Sequence, residues 1–101
     1  MIYVLAVPGP IKDVEEIRVL EWQGGVGQRY EPDDLVVELE THKAIVEVRA
    51  SRAAILRKIF CEPGDWKKIG SALALLSDTS DESLPETLDG LDQCEVAFEV
   101  I

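Results

Sequence analysis

The chain has 101 residues, 47% hydrophobic and 30% charged, enough for one domain and not for two, and it has no apolar run of the length that a membrane-crossing helix needs. Its formal charge of −10 is unevenly spread: residues 1–77 carry 12 acidic and 10 basic side chains, whereas residues 78–101 carry 8 acidic and none basic. A nearly neutral body with a negative tail offers nucleic-acid phosphates no excess of Lys and Arg, so nucleic-acid binding is excluded as the expected role, and no membrane partner is expected.

The opening Met1-Ile2-Tyr3-Val4-Leu5-Ala6-Val7 lacks a basic n-region and a small-residue cleavage site before Pro8, so it reads as a strand rather than a secretory signal. The expected location is the cytoplasm or an organelle interior. Val14-Glu15-Glu16 has the polarity of a helix start, but only a β-branched stretch follows, and no segment sustains an i, i+3, i+4, i+7 pattern. Strands are predicted over 2–7, 17–22, 35–41, 44–50, 55–60 and 72–76, separated by Gly and Pro, which is the spacing of a small all-β sandwich or barrel.

An internal repeat at an offset of 37 sets Val19, Trp22, Gly27, Val36 and Leu39 against Leu56, Ile59, Gly64, Leu73 and Leu76. Each half reads as strand, glycine turn, polar stretch, strand. Gly27 and Gly64 are expected at positive φ, which costs glycine little. Neither half conceals enough apolar surface alone, so the two are expected to pack together with two-fold-like symmetry.

Residues 35–50 form two alternating runs around a break, the pattern of a hairpin with His42 and Lys43 at its tip. A two-residue tip pairs Thr41 with Ala44, Leu39 with Val46 and Val37 with Val48 on one face, and turns Glu38, Glu40, Glu47 and Arg49 to the other. Glu38 then opposes Glu47, with Arg49 placed diagonally to relieve the repulsion. A primed turn of this length requires positive φ at the tip, which His tolerates better than most residues. Lys43 is expected to be exposed, and taken alone an exposed hairpin lysine is a solubility residue.

Cys61 and Cys94 allow one disulfide at most and read as ordinary thiols, and a single His with no Cys-x-x-Cys provides no metal-binding set. No catalytic constellation is expected.

Glu40-Thr41-His42-Lys43-Ala44-Ile45-Val46-Glu47-Val48-Arg49-Ala50 resembles the segment around the modified lysine in lipoyl domains of 2-oxo acid dehydrogenase acyltransferase components, within the biotinyl/lipoyl attachment family. Val14-Glu15-Glu16, Glu21-Trp22, Val26-Gly27, Pro63-Gly64-Asp65, Gly70 and Leu73-Ala74-Leu75 also fall where that family has similar residues, so the resemblance covers about residues 2–77. It implies a flattened β-barrel, or barrel-sandwich hybrid, of two four-stranded antiparallel sheets with quasi-two-fold symmetry. It implies that Lys43 is joined to lipoic acid by a lipoyl ligase or lipoyl transferase. The implied role is a swinging-arm carrier, serving a thiamine-dependent 2-oxo acid decarboxylase and a dihydrolipoyl dehydrogenase and catalysing nothing itself.

The family usually places Asp where His42 stands, commonly has Gly at the position of Asp33 and commonly has Asp at that of Gln28. His42 and Ala44, flanking Lys43, would be read by the enzymes that recognise the tip. Biotin carriers share the fold but resemble Met-Lys-Met at this point, which favours lipoate. An unmodified adaptor of the same architecture stays open as an alternative.

Trp22 and Trp66 show no binding role and are expected to pack against the barrel, in its core or at its rim. The carrier domain is expected over 1–77. Residues 78–93 read as a flexible acidic linker, and 94–101, where Val96, Phe98 and Val100 alternate, as an added edge strand on the body or a docking segment for a partner.

Overall fold

A computed structural model describes all of residues 1–101. The chain forms ten strands and no helix: β1 (Ile2–Ala6), β2 (Glu16–Trp22), β3 (Arg29–Tyr30), β4 (Leu35–Glu40), β5 (Ile45–Ala50), β6 (Ala54–Ile59), β7 (Trp66–Lys68), β8 (Ala72–Ser77), β9 (Asp92–Gln93) and β10 (Val96–Val100). The segment 14–16 makes an isolated bridge between Val14 and Ile11 and then enters β2 at Glu16.

Two sheets run in the orders β3-β6-β8-β1-β9 and β7-β2-β4-β5-β10. The first four strands of each list correspond one to one, β3 to β7, β6 to β2, β8 to β4 and β1 to β5, which is the quasi-two-fold implied by the repeat. Backbone hydrogen bonds obey the same offset. Gly27 donates to Leu56 O at 2.8 Å and Gly64 to Val19 O at 2.7 Å, and Gln23 donates to Val36 O and Phe60 to Leu73 O, both at 2.9 Å. Gly27 and Gly64 both lie at φ +97°, the left-handed region that a Cβ disfavours.

Alternation along the strands delivers one side chain in two to the interior. Leu5, Ile17, Val19, Leu39, Val46, Val48, Leu56 and Leu73 are fully buried and meet in one core between the sheets. Each such aliphatic side chain contributes about 1.5–3 kcal/mol relative to exposure.

The four-strand expectation needs one correction, because each sheet gains a fifth strand from the acidic tail. β9 pairs parallel with β1 (Tyr3 with Asp92, Val4 with Gln93), and β10 pairs antiparallel with β5 (Val96 with Ala50 through Val100 with Val46). Only Cys94 and Glu95 separate the two, and Cys94 is buried, its amide donating to Val4 O at 2.8 Å. The tail therefore crosses from one sheet to the other and covers the symmetry-related edges of β1 and β5.

Residues 78–91 are equally tied down at their start. The Met1 ammonium pairs with Asp78 and Glu82, Arg52 pairs with Asp78 at 3.2 Å, and the Thr79 amide donates to Glu82 Oε2 at 3.0 Å.

Candidate functional site

The β4–β5 hairpin has the register that its alternation dictates: Leu39 faces Val46, Val37 faces Val48, and Glu38 faces Glu47. Arg49 donates to Glu47 at 3.3 Å, which offsets the like-charge pair. The ladder closes at the tip, where Thr41 N–H donates to Ala44 O at 2.8 Å.

The turn itself differs from expectation. Neither His42 nor Lys43 has positive φ; among non-glycine residues only Asp13 and Asp33 do. The physical reason is Thr41. Its buried Oγ1 accepts the amides of Lys43 at 3.1 Å and Ala44 at 3.0 Å, a local side-chain solution that closes the turn without left-handed residues. Thr41 thus fixes the backbone that carries the lysine.

Lys43 is exposed and takes part in none of the six ion pairs of the chain. A free primary amine on a rigid, projecting turn is what an acylating enzyme needs, and an acyl group joined there meets no competing partner. The residues present fit a covalently attached arm.

Beside the tip, pairing lines up one residue from every strand of the sheet. Trp66 of β7 opposes Arg18 of β2, Arg18 opposes Glu40 of β4, Glu40 opposes Ile45 of β5, and Ile101, one step past β10, donates its amide to Ile45 O at 2.8 Å. Directly opposed residues share a face. Inward neighbours Ile17, Val19, Leu39 and Val46 are buried, so this row lies on the outer face. Arg18 Nη2 donates to Glu40 Oε1 at 2.6 Å, and its guanidinium lies 5.9 Å from the Trp66 ring centre.

Trp66 is 44% exposed. It packs at the rim of the barrel and not in its core, because β7 is an outermost strand and turns it to the outer face. There it stacks on the His42 ring, centroids 5.2 Å apart and planes inclined by 29°. His42 is thereby joined to the body of the domain. Trp22 is half-buried against the core, as expected of it.

Together the row and the tip line an open groove of about 600 Å³ that includes Lys43. Sequence reasoning singled out Lys43, His42 and Ala44 but not Trp66, Arg18, Ile45 or Ile101. Trp66 lies in a three-residue strand, too short to show a periodicity, and only the structure places it on an outermost strand beside the tip.

Cys61 and Cys94 are free and buried, and burial pushes both thiols above their ordinary pKa, so neither is an activated nucleophile. Gly27 and Gly64 lie in the turns that join the two halves, outside this groove.

The sequence profile of the family described as "Biotin-requiring enzyme" matches residues 4–76. The chain is 31% identical, over 79% of its length, to the dihydrolipoyllysine-residue succinyltransferase component of the 2-oxoglutarate dehydrogenase complex of Staphylococcus saprophyticus. It is 30% identical, over 75% of its length, to a chloroplastic acetyltransferase component of the pyruvate dehydrogenase complex of Arabidopsis thaliana. It spans only 19% and 16% of those two proteins. The solution structure of the lipoyl domain of the Azotobacter vinelandii 2-oxoglutarate dehydrogenase complex superimposes with a TM-score of 0.65 at 25% identity, covering 75% of this chain and 96% of that domain. Profile, relatives and topology agree: the chain belongs to the biotinyl/lipoyl attachment family, and within it to the lipoyl domains.

Proposed function

We propose that this chain is a lipoyl carrier, with lipoate in amide linkage to the Lys43 ε-amino group, serving a 2-oxo acid dehydrogenase complex. The observation that carries the proposal is an unpaired, exposed lysine on a Thr41-locked turn at the hairpin tip of a lipoyl-family barrel. When bound, the group supplies the acyl-transfer and redox chemistry, and the chain supplies presentation. Tethering lets one lysine visit several active sites at an effective concentration of about millimolar.

On this reading the chain has no catalytic residue of its own. Its partners are a lipoyl ligase or transferase, a thiamine-dependent 2-oxo acid decarboxylase and a dihydrolipoyl dehydrogenase, in the cytoplasm or an organelle interior. His42 and Ala44 flank the acceptor where those enzymes read the tip. The absence of methionines at these two positions supports lipoate over biotin.

The test is intact mass with peptide mapping after co-expression with a lipoyl ligase and lipoate. A lipoyl-sized increment confined to Lys43 is expected. Lys43→Ala removes it while leaving stability within about 0.5 kcal/mol, as for other exposed substitutions. A biotin-sized increment in the native host would transfer the chain to the carboxylase carriers. An unmodified Lys43 under every condition would favour the adaptor reading.

A further inference from the structure

We infer that the groove beside Lys43 is a resting site for the arm that this lysine carries. The inference rests on the lipoyl-carrier reading and deepens it. A lysine that merely projected an arm into solvent would need no apolar surface behind it. Here three large apolar side chains stay exposed along one row: Trp66 at 44%, Ile45 at 39% and Ile101 at 65%. They stand on the outer sheet face, and the turn that holds the lysine joins two neighbouring strands of their row.

The groove has two walls and a floor. One wall is the His42–Trp66 stack, and the other is Ile45 with Ile101. Between them, on β2 and β4, the Arg18–Glu40 pair forms the floor. The ring stack immobilises the first wall, because His42 beside the lysine and Trp66 on β7 hold each other in place. The second wall depends on the tail, since Ile101 reaches Ile45 only when β10 is paired with β5.

Dimensions suit the occupant. At about 4.8 Å per strand, the row from β7 to β10 spans about 19 Å, and the tip that carries Lys43 joins its third and fourth strands. A lysine side chain extended by an octanoyl-length chain reaches either wall. Such an arm is polar at its amide, next to the lysine, and apolar beyond it, which matches a groove polar at its floor and apolar at its walls. In the resting position the ring of the arm lies with one side against the groove, and it is released when a partner enzyme engages the tip.

The test uses the whole 101-residue chain, unmodified and lipoylated, with mass spectrometry first establishing complete modification at Lys43. Two-dimensional NMR then compares the two forms. The Trp66 indole N–H and the Ile45 and Ile101 amides are expected to shift on lipoylation, several-fold more than the Trp22 indole, which serves as the internal reference. The thiols of the reduced arm are expected to react with a maleimide several-fold more slowly than free dihydrolipoamide.

Trp66→Ala is expected to abolish that protection. Ile45→Thr, which keeps a β-branched residue in the strand, is expected to reduce it, so a folding defect in one variant does not decide the matter. Shifts confined to residues 42–44, with thiols reacting at the free rate, would overturn the resting site while leaving the carrier reading intact. A missing mass increment would overturn the carrier reading, and the resting site with it.

Discussion

Asp33 shows how much of this fold is enforced by single backbone conformations. It lies at φ 76°, and its symmetry mate at the offset of 37 is Gly70, at φ 89°. Its amide donates to Ala50 O at 2.8 Å and its carbonyl accepts Arg49 Nη1 at 3.1 Å, both backbone contacts that a glycine preserves. Its carboxylate makes no hydrogen bond and no ion pair. The cost of a left-handed L-residue is therefore uncompensated by its side chain. Asp33→Gly is expected to stabilise the domain by about 0.5–1 kcal/mol, after allowing for the entropy that glycine adds to the unfolded chain, as measured by the urea midpoint.

Tyr30 makes the opposite case. Its hydroxyl donates to Gln23 O at 2.6 Å from a buried position, and burial pushes its pKa from 10.0 up to about 12. A raised folded-state value means that the protonated phenol stabilises the fold. That contribution is complete below pH 10 and is lost as pH climbs towards 12, by about 2 kcal/mol. Tyr30→Phe should remove one of the two tyrosinate steps from a spectrophotometric titration, leaving that of Tyr3, and lower stability by about 1–2 kcal/mol at neutral pH.

Among the elements, the strands of five residues or more were legible in the sequence. β2, β4, β5, β6 and β8 each bury alternate or successive apolar residues, and the β4–β5 register follows from the requirement that Leu39, Val46, Val37 and Val48 share a face. Two-residue and three-residue strands have no periodicity to read, so β3 and β7 were invisible, and the outward turn of Trp66 with them. The turn type was misread for a different reason. Loop length suggested left-handed residues, whereas one hydroxyl, Thr41 Oγ1, accepts both amides and removes the need for them. β9 consists of Asp92 and Gln93, polar residues held by backbone pairing that composition cannot reveal.

β10 covers an edge that would otherwise invite other chains. Hydrogen-bonded pairs alternate in an antiparallel ladder, and the Ile101–Ile45 bond sets Glu99–Glu47 and Ala97–Arg49 as the bonded pairs. Ala97→Pro removes one donor from this ladder. It is expected to accelerate amide hydrogen exchange at Glu47 and Arg49, which face β10, while Val46 and Val48, which face β4, stay protected. Equal acceleration at all four would mean that β5 itself had come apart.

At the scale of the whole molecule, the charge asymmetry becomes a device for holding the tail. The acidic segment begins by wrapping the chain's own ammonium: Met1 N pairs with Asp78 and Glu82, and Tyr3 donates to Asp78 at 3.3 Å. The bond to Met1, followed by that from the Thr79 amide, lowers the Glu82 carboxyl from 4.5 to about 2, and the bond to Glu82 raises the Met1 ammonium above 8.0.

A depressed carboxyl contributes above pH 4.5 and fails as pH falls towards 2. A raised ammonium contributes below pH 8.0 and fails as pH rises through its folded-state value. Tail anchoring is therefore expected to be greatest between about pH 4.5 and 8, and to weaken in high salt because the pairs are solvent-facing. Limited proteolysis at residues 80–91 across pH and salt would read this directly. Uniform cleavage rates would show that β9 and β10 alone hold the tail.

The crossing of the tail from β9 to β10 also reverses the direction in which polypeptide leaves the barrel. At Ser77 the chain lies beside Ile2, where it entered, and a tether from that point would trail away from the site of entry. After Ile101 it points out beside Lys43. Any sequence fused downstream therefore starts at the hairpin tip and would crowd the surface around Lys43, whereas a tag placed before Met1 leaves that surface clear.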